Sequence, residues 1–400
     1  MRGGNIPAVP SPSAVLDVLR SFGALGLSSF GGPAAHLGYF RTMFVERKKW
    51  LSDRAFADLV AVSQFLPGAG SSKVGMGLGY HRGGWAGMTL AWIFFTLPSA
   101  LVLGAFGLFV TGAGIDTGAG WIRGLLAVTV GVVFHAVSGM ARTLASTPIT
   151  ATLAVASALA VLLVPYSAVQ AVVIVAAGVA GMLLLRTQPS AEETPEETLR
   201  PVPRWAGYGA VTLFFVLLAG LWAGARFLGG PVLSRAYAYY ETGALVFGGG
   251  HVVLPLLQAH AVDGQWMSEA EFLAGYSVAQ AVPGPLFTFA TYLGAVDGGV
   301  AGAVLATVMI FLPSALLIVA GMYFWSRWRH LRLLRAAFAG INAAVVGLLL
   351  AALYDPVFTH GIASPWSLAV AAVAWLMLAM WKLPPWSVAA FGALAGWALL

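Results

Sequence analysis

Residues 84–110 read GWAGMTLAWIFFTLPSALVLGAFGLFV, and residues 298–324 read GGVAGAVLATVMIFLPSALLIVAGMYF. Neither stretch carries a charged side chain, and both exceed the roughly 20 apolar residues needed to cross a hydrocarbon core. Similar stretches occur at 125–137, 151–164, 168–185, 211–225 and 336–353. Lipid-facing barrel strands would alternate polar and apolar residues, and these do not, so the expected fold is all-α. Composition agrees: 59% of the 400 residues are hydrophobic, 9% are charged, and the mean hydropathy is +0.85. So little polar surface cannot clothe a water-soluble globule of this size.

The two opening stretches share Leu97-Pro98-Ser99-Ala100-Leu101 and Leu312-Pro313-Ser314-Ala315-Leu316 letter for letter. At a nearby offset Trp50, Ser52, Phe56, Gln64, Pro67 and Gly68 fall on Trp266, Ser268, Phe272, Gln280, Pro283 and Gly284. Phe30-Gly31-Gly32 matches Phe247-Gly248-Gly249, and Gly124 and Gly131 match Gly340 and Gly347. Matched Trp, Gln and Pro in one order mark a duplication. The expected division is 1–186 for the first half and 236–400 for the second. Residues 187–235 between them hold an acidic, proline-rich linker and one extra apolar helix.

Loop charge orients the halves. The loop bearing Arg41, Arg47, Lys48, Lys49 and Arg54 corresponds to one with no Lys or Arg and with Asp263, Glu269 and Glu271. The next loops reverse this, since 110–122 has no basic residue and its mate has Arg327, Arg329, Arg332 and Arg335. By the positive-inside rule, equivalent loops face opposite sides, giving an inverted-topology repeat. Four crossings are expected in each half, near 84–110, 121–140, 148–165 and 167–186, then 298–324, 330–354, 365–381 and 384–400. The Gly/Pro-broken stretches 14–50, 55–82, 236–258 and 270–296 become re-entrant hairpins. Arg226 and Arg235 fall on the wrong side of this scheme. A multi-pass protein of the inner membrane is expected.

Broken helices at membrane depth are tolerable only where protein or a polar cavity satisfies the freed backbone. Phe30-Gly31-Gly32-Pro33, Phe247-Gly248-Gly249-Gly250, Pro67-Gly68 and Pro283-Gly284-Pro285 are therefore the expected substrate site. Helices restarting after such breaks aim N–H groups and a positive dipole end at them, which suits an anion. Ser71, Ser72 and Thr288 add hydroxyls, and Gln64 and Gln280 add amides, unless those amides only cap helix ends. Lys73 either pairs with an anion or snorkels. Glu241 is the candidate for proton coupling. His36 and His251 follow glycine breaks, but two distant histidines make a poor metal site, and none is expected. Asn342 is expected to be a contact between helices. With no cysteine, disulfides and thiolate chemistry are excluded.

These residues together resemble the chromate ion transporter family in its long, two-domain form, over nearly the whole chain. The Tyr240-Glu241-Thr242-Gly243 run, continuing to Phe247-Gly248-Gly249-Gly250-His251, and the Pro-Gly elements behind Gln64 and Gln280 carry the likeness. The resemblance implies export of chromate coupled to the proton gradient, with sulfate as a related or competing anion. Two positions depart from the family pattern: Ala69 stands where a proline is usual, and Lys73 where a glutamine is expected. No Walker-type loop is present, so an ion gradient is the expected energy source, without a cofactor. Sulfate or other small-anion uptake or exchange is the alternative. A membrane-embedded enzyme using Glu241 or His251 lacks a paired catalytic constellation. The expected partners are the oxyanion and the lipid bilayer, not nucleic acid, and a homodimer is left open.

Overall fold

The structure, a computed structural model, describes residues 11–29, 32–113, 119–164, 168–185, 199–246, 253–328 and 331–400. The described residues outside the loops are helical. Half one comprises α1 (Pro12–Ser28), α2 (Gly32–Phe40, continued by a wider turn through Arg47), α3 (Asp53–Phe65), α4 (Gly70–Ala113), α5 (Gly120–Leu144), α6 (Pro148–Leu163) and α7 (Ala168–Leu184). After α8 (Arg204–Ala223) the order repeats with α9 (Pro231–Leu245), α10 (Val253–Ala261), α11 (Glu269–Ala281) and α12 (Phe289–Trp328). Then come α13 (Arg332–Ala352), the single turn α14 (Thr359–Gly361), α15 (Pro365–Ala379) and α16 (Pro385–Leu399). Thus α8 has no counterpart, as the duplication requires.

The repeated residues have structural reasons. Ser52 and Ser268 cap α3 and α11, each accepting the N–H three residues on. Phe56 and Phe272, one turn later, are buried. Both α4 and α12 reverse sharply, at Gly84 (φ 61°, ψ −150°) and at Gly298–Gly299 (φ 60°, ψ −149° at the latter). Across the first reversal Gly79 meets the Gly87 carbonyl, and across the second Gly294 meets that of Gly302. A straight helix would hold such residues about 12 Å apart. Each of these elements is therefore a short helix folded back on a long one, and the long arms begin where residues 84 and 298 predicted.

The halves interlock. Helix α5 of half one packs against α15 and α16 of half two, and α13 of half two packs against α6 and α7 of half one. The approach is backbone to backbone: Gly124 faces the Gly392 carbonyl, and its mate Gly340 faces that of Ala177. Likewise Gly131 lies on Ala371 and Gly347 on Ala154. Small residues are what permit such contact between membrane helices.

Five helical stretches are long and apolar enough to cross a bilayer: 70–111, 120–142, 204–228, 286–325 and 336–361. Helices α6, α7, α15 and α16 are apolar but shorter, at 15–17 residues. Their outer faces expose Leu163, Leu183, Trp366 and Trp397, and α8 exposes Phe215, Val216 and Trp222. So broad an apolar exterior has hydrocarbon as its solvent, and the chain is a multi-pass membrane protein.

Candidate functional site

The connection from α3 to α4 runs through Leu66-Pro67-Gly68-Ala69, and Gly68 sits at φ +106°. Only glycine adopts that backbone cheaply. The bend lets the Gly68 N–H donate to the Val246 carbonyl at 2.6 Å and the Ala69 N–H to Ser314 Oγ at 2.8 Å, both in half two. The mate obeys the same plan: Gly284 has φ +112°, and its N–H donates to the Ser29 carbonyl of half one at 2.9 Å. A methyl on Gly284 would come within 2.7 Å of Ser99 Oγ. Each Pro-Gly loop is therefore seated on the other half's Leu-Pro-Ser segment.

The seating differs in one bond. Pro285 occupies the place of Ala69 and has no N–H, so Ser99 instead donates within its own helix to the Thr96 carbonyl at 2.9 Å. Alanine at 69 thus supplies a bond between halves that proline cannot. Ser314→Ala should leave the Ala69 N–H buried without its acceptor, costing about 1–3 kcal/mol. Ser99→Ala should cost much less. Thermal melts in detergent would show the contrast, and equal shifts for the two variants would refute it.

At the start of α4, the first intrahelical bond runs from the Lys73 N–H to the Ala69 carbonyl at 2.9 Å. The N–H groups of Gly70, Ser71 and Ser72 therefore precede the helical ladder. Ser72 is 2% exposed, and its hydroxyl has no hydrogen-bond partner. Two further hydroxyls, those of Ser29 and Thr96, are also buried without a partner. Ser29 ends α1 on the carbonyl that holds Gly284, and α1 packs through Gly26 onto Phe94 and Phe95 beside Thr96. His36 bridges α4 and α1, with Nδ1 3.1 Å from Ser71 Oγ and Nε2 3.1 Å from the Ser29 carbonyl. Its ring meets Phe95 edge-on. The start of α4 thus carries buried hydroxyls and unused N–H groups at the positive end of a helix, joined through His36 to the end of α1.

Half two is apolar at the corresponding positions. Val246 replaces Ser29, Phe311 replaces Thr96, and Phe289 replaces Lys73. Thr288, the mate of Ser72, spends its hydroxyl on the Pro285 carbonyl at 2.6 Å.

Lys73 does not snorkel to a surface. It is fully buried, and its ammonium donates to the carbonyls of Ser63 (2.6 Å), Leu66 and Pro67 (2.8 Å). A cation there caps the C-terminal end of α3, where the helix dipole favours positive charge. Gln64 is exposed on α3, whereas Gln280 bonds Tyr276. Gly32 and Pro33 open α2. Phe30, Gly31 and Phe247 to His251 lie outside the described residues, and Asn342 Oδ1 is buried without a partner.

Glu241 accepts from the Tyr237 hydroxyl at 2.5 Å and lies 2.9 Å from His260 Nε2. Beside it Arg235 grips Asp297 through two bonds of 2.7 and 2.8 Å and covers the Trp266 ring at 4.2 Å. Arg235, one of the two arginines that the inverted scheme leaves on the wrong side, is thus paired with an acid. The equivalent place in half one carries the reverse arrangement: the acid, Asp17, is on the first helix and the base, Arg82, is before the reversal, 3.5 Å apart beneath Trp50. Lys48 also pairs with Asp17. The half-two face is acidic. In its loop after α10, burial raises the Asp263 carboxyl, with His260 opposing and Asp355 reinforcing.

A family model described as chromate transporter matches residues 16–182 and 233–397. The chain belongs to the chromate transporter family. It is therefore a transporter, not an enzyme. It is 29% identical over 367 residues to a chromate transport protein of Pseudomonas aeruginosa, covering 87% of this chain and 82% of that one. A chromate transport protein of Cupriavidus metallidurans is 27% identical, with 86% and 83% covered. An uncharacterized transporter of Methanocaldococcus jannaschii is 26% identical, with 85% and 84% covered. No solved structure matches the chain. The two matched segments of the chromate transporter model coincide with the two structural repeats, α1–α7 and α9–α16.

The hydroxyls of Ser29 and Thr96 and the ring of His36 were not among the substrate residues singled out from the sequence. A lone hydroxyl in an apolar helix looks like any small residue that aids packing. Only the folded structure shows that these hydroxyls are buried without a partner.

Proposed function

We propose that this chain is a secondary active exporter of chromate or a related oxyanion, energised by the proton-motive force, with the anion held at the start of α4. The observations that carry this are the buried, unpartnered hydroxyls of Ser29, Ser72 and Thr96 and the N–H groups of Gly70 to Ser72 that precede the helical ladder. Buried donors without partners are costly, and a tetrahedral oxyanion would repay that cost with bonds worth about 1.5–3 kcal/mol each. Lys73 adds positive potential from behind rather than a direct bond. The Pro-Gly loops at 67–68 and 283–285, each seated on the other half, adjoin the site in this reading, and the Phe-Gly-Gly segments 30–33 and 247–251 stay in the proposed substrate set on sequence grounds.

Alternating access would follow from an inverted repeat, 1–186 against 236–400, turned over by the unmatched helix within 187–235. The opposite loop charges and the reversed acid–base order at Trp50 and Trp266 support that inversion. The short hairpins α1–α2, α3–α4, α9–α10 and α11–α12 then enter the membrane without crossing it. Glu241, held by Tyr237 and His260, is the proton-coupling carboxylate of this scheme, facing away from the basic, cytoplasmic loops.

Anion flux into proteoliposomes of the purified protein tests the reading, comparing chromate, sulfate and chloride with and without an imposed pH gradient. Saturable oxyanion flux that responds to the gradient is expected, together with its loss when Ser29, Ser72 and Thr96 are all made apolar. Glu241→Gln should keep oxyanion exchange and lose the response to the gradient. No oxyanion flux by folded protein under any gradient would overturn the proposal.

A further inference from the structure

We propose that His36 takes up a proton together with the anion, by switching the direction of the Ser71 hydroxyl. This rests on the oxyanion site proposed above. The argument is one of donors and acceptors. The Ser29 carbonyl can only accept, so the Nε2 atom facing it at 3.1 Å must carry a hydrogen. In the neutral ring Nδ1 then has only a lone pair, and the Ser71 O–H, at 3.1 Å, must be spent on it. Neutral His36 therefore withdraws one donor from the first turn of α4. A proton on Nδ1 reverses that bond: Ser71 becomes the acceptor, and its own O–H swings free beside Ser72 and the unused N–H groups. A single protonation adds both a positive charge and a donor to the anion's surroundings, with no more movement than a hydroxyl rotation.

The elements packed around His36 offer no other group to hold that charge. Among the described residues, Lys73 on α4 is turned to the α3 carbonyls. Arg41, beyond α2, binds Glu46 and Asp53. On α1, Asp17 binds Lys48, Trp50 and Arg82, and Arg20 is exposed. With no carboxylate facing it, a buried imidazolium is unfavourable in the empty site and favourable beside a bound anion. Linkage is reciprocal, so proton and anion promote each other's binding. The sign follows: His36 is more basic with the site occupied, and anion affinity rises as pH falls, by at most tenfold per pH unit for one proton. A dianion carried with one proton moves a single net negative charge. An inside-negative voltage expels that charge with about 2.3 kcal/mol per 100 mV.

Equilibrium binding of radiolabelled sulfate to the full-length protein in detergent tests this, because sulfate stays dianionic through the near-neutral range and any pH dependence belongs to the protein. Wild type is expected to gain about tenfold or more in affinity from about pH 8 to about pH 6. Glutamine can offer an N–H to Ser29 and a carbonyl oxygen to Ser71, copying neutral histidine at every pH. His36→Gln should therefore melt like wild type and lose the gain in affinity on acidification. A slope that persists in His36→Gln overturns the proposal, as does one that vanishes only in Glu241→Gln. pH-independent sulfate binding by wild type would overturn the role of His36 alone. Absence of binding at every pH would overturn the oxyanion site as well.

Discussion

Lys73→Met is expected to yield little or no folded protein on extraction from the membrane, whereas Lys73→Gln retains most of it. The ammonium satisfies three carbonyls at the end of α3 in a place with no exposed surface. Methionine fills a similar volume but donates nothing, and leaving three buried acceptors unpaired costs about 1–3 kcal/mol apiece. The sum is a large share of the 5–15 kcal/mol that folded domains typically hold in reserve. Glutamine brings two N–H groups back toward the same carbonyls. Size-exclusion profiles of tagged protein in mild detergent would measure the yield of monodisperse material. A wild-type profile for Lys73→Met would mean the carbonyls find other donors, and the capping role would fall.

A comparable loss is expected for Gly124→Leu and Gly340→Leu, and none for Gly139→Leu. The first two glycines touch backbone of the opposite half, so a side chain there must push whole helices apart. Gly139 has open space where a side chain would go. Overpacking against backbone leaves no rotamer that relieves it. The same size-exclusion assay reads this out, and equal yields for Gly124→Leu and Gly139→Leu would show that α5 does not pack as described.

Much of the architecture was readable because duplication writes each constraint twice. Ser52 with Ser268, Gly68 with Gly284 and Gly124 with Gly340 were visible as matched letters. The structure shows why each letter is held: a helix cap, a left-handed backbone position, and a backbone contact. The long arms of α4 and α12 start where charge and glycine placement indicated. What could not be read is which half each residue serves. Ser99 and Ser314 repeat perfectly, yet one receives a bond from the other half and one does not, because residue 69 has an N–H and residue 285 has none. Lys73 looked like an anion ligand because a buried cation suggests a buried anion. Three carbonyls six to ten residues back take its hydrogens, and no periodicity reveals carbonyl directions. The partner of Arg235 was equally hidden, because Asp297 is 62 residues away in the chain.

The crossed packing of α5 on α15 and α16 also sets a timetable for biogenesis. The glycine face of α5 leaves the ribosome long before its partners, a delay on the order of 10–50 s at usual elongation rates. Through that interval its close-packing surface, and that of α6 and α7 awaiting α13, has only lipid or the insertion machinery against it. A chain stopped after the first repeat would keep those faces open for good, presenting quality-control proteases with an unfinished molecule rather than a smaller working one.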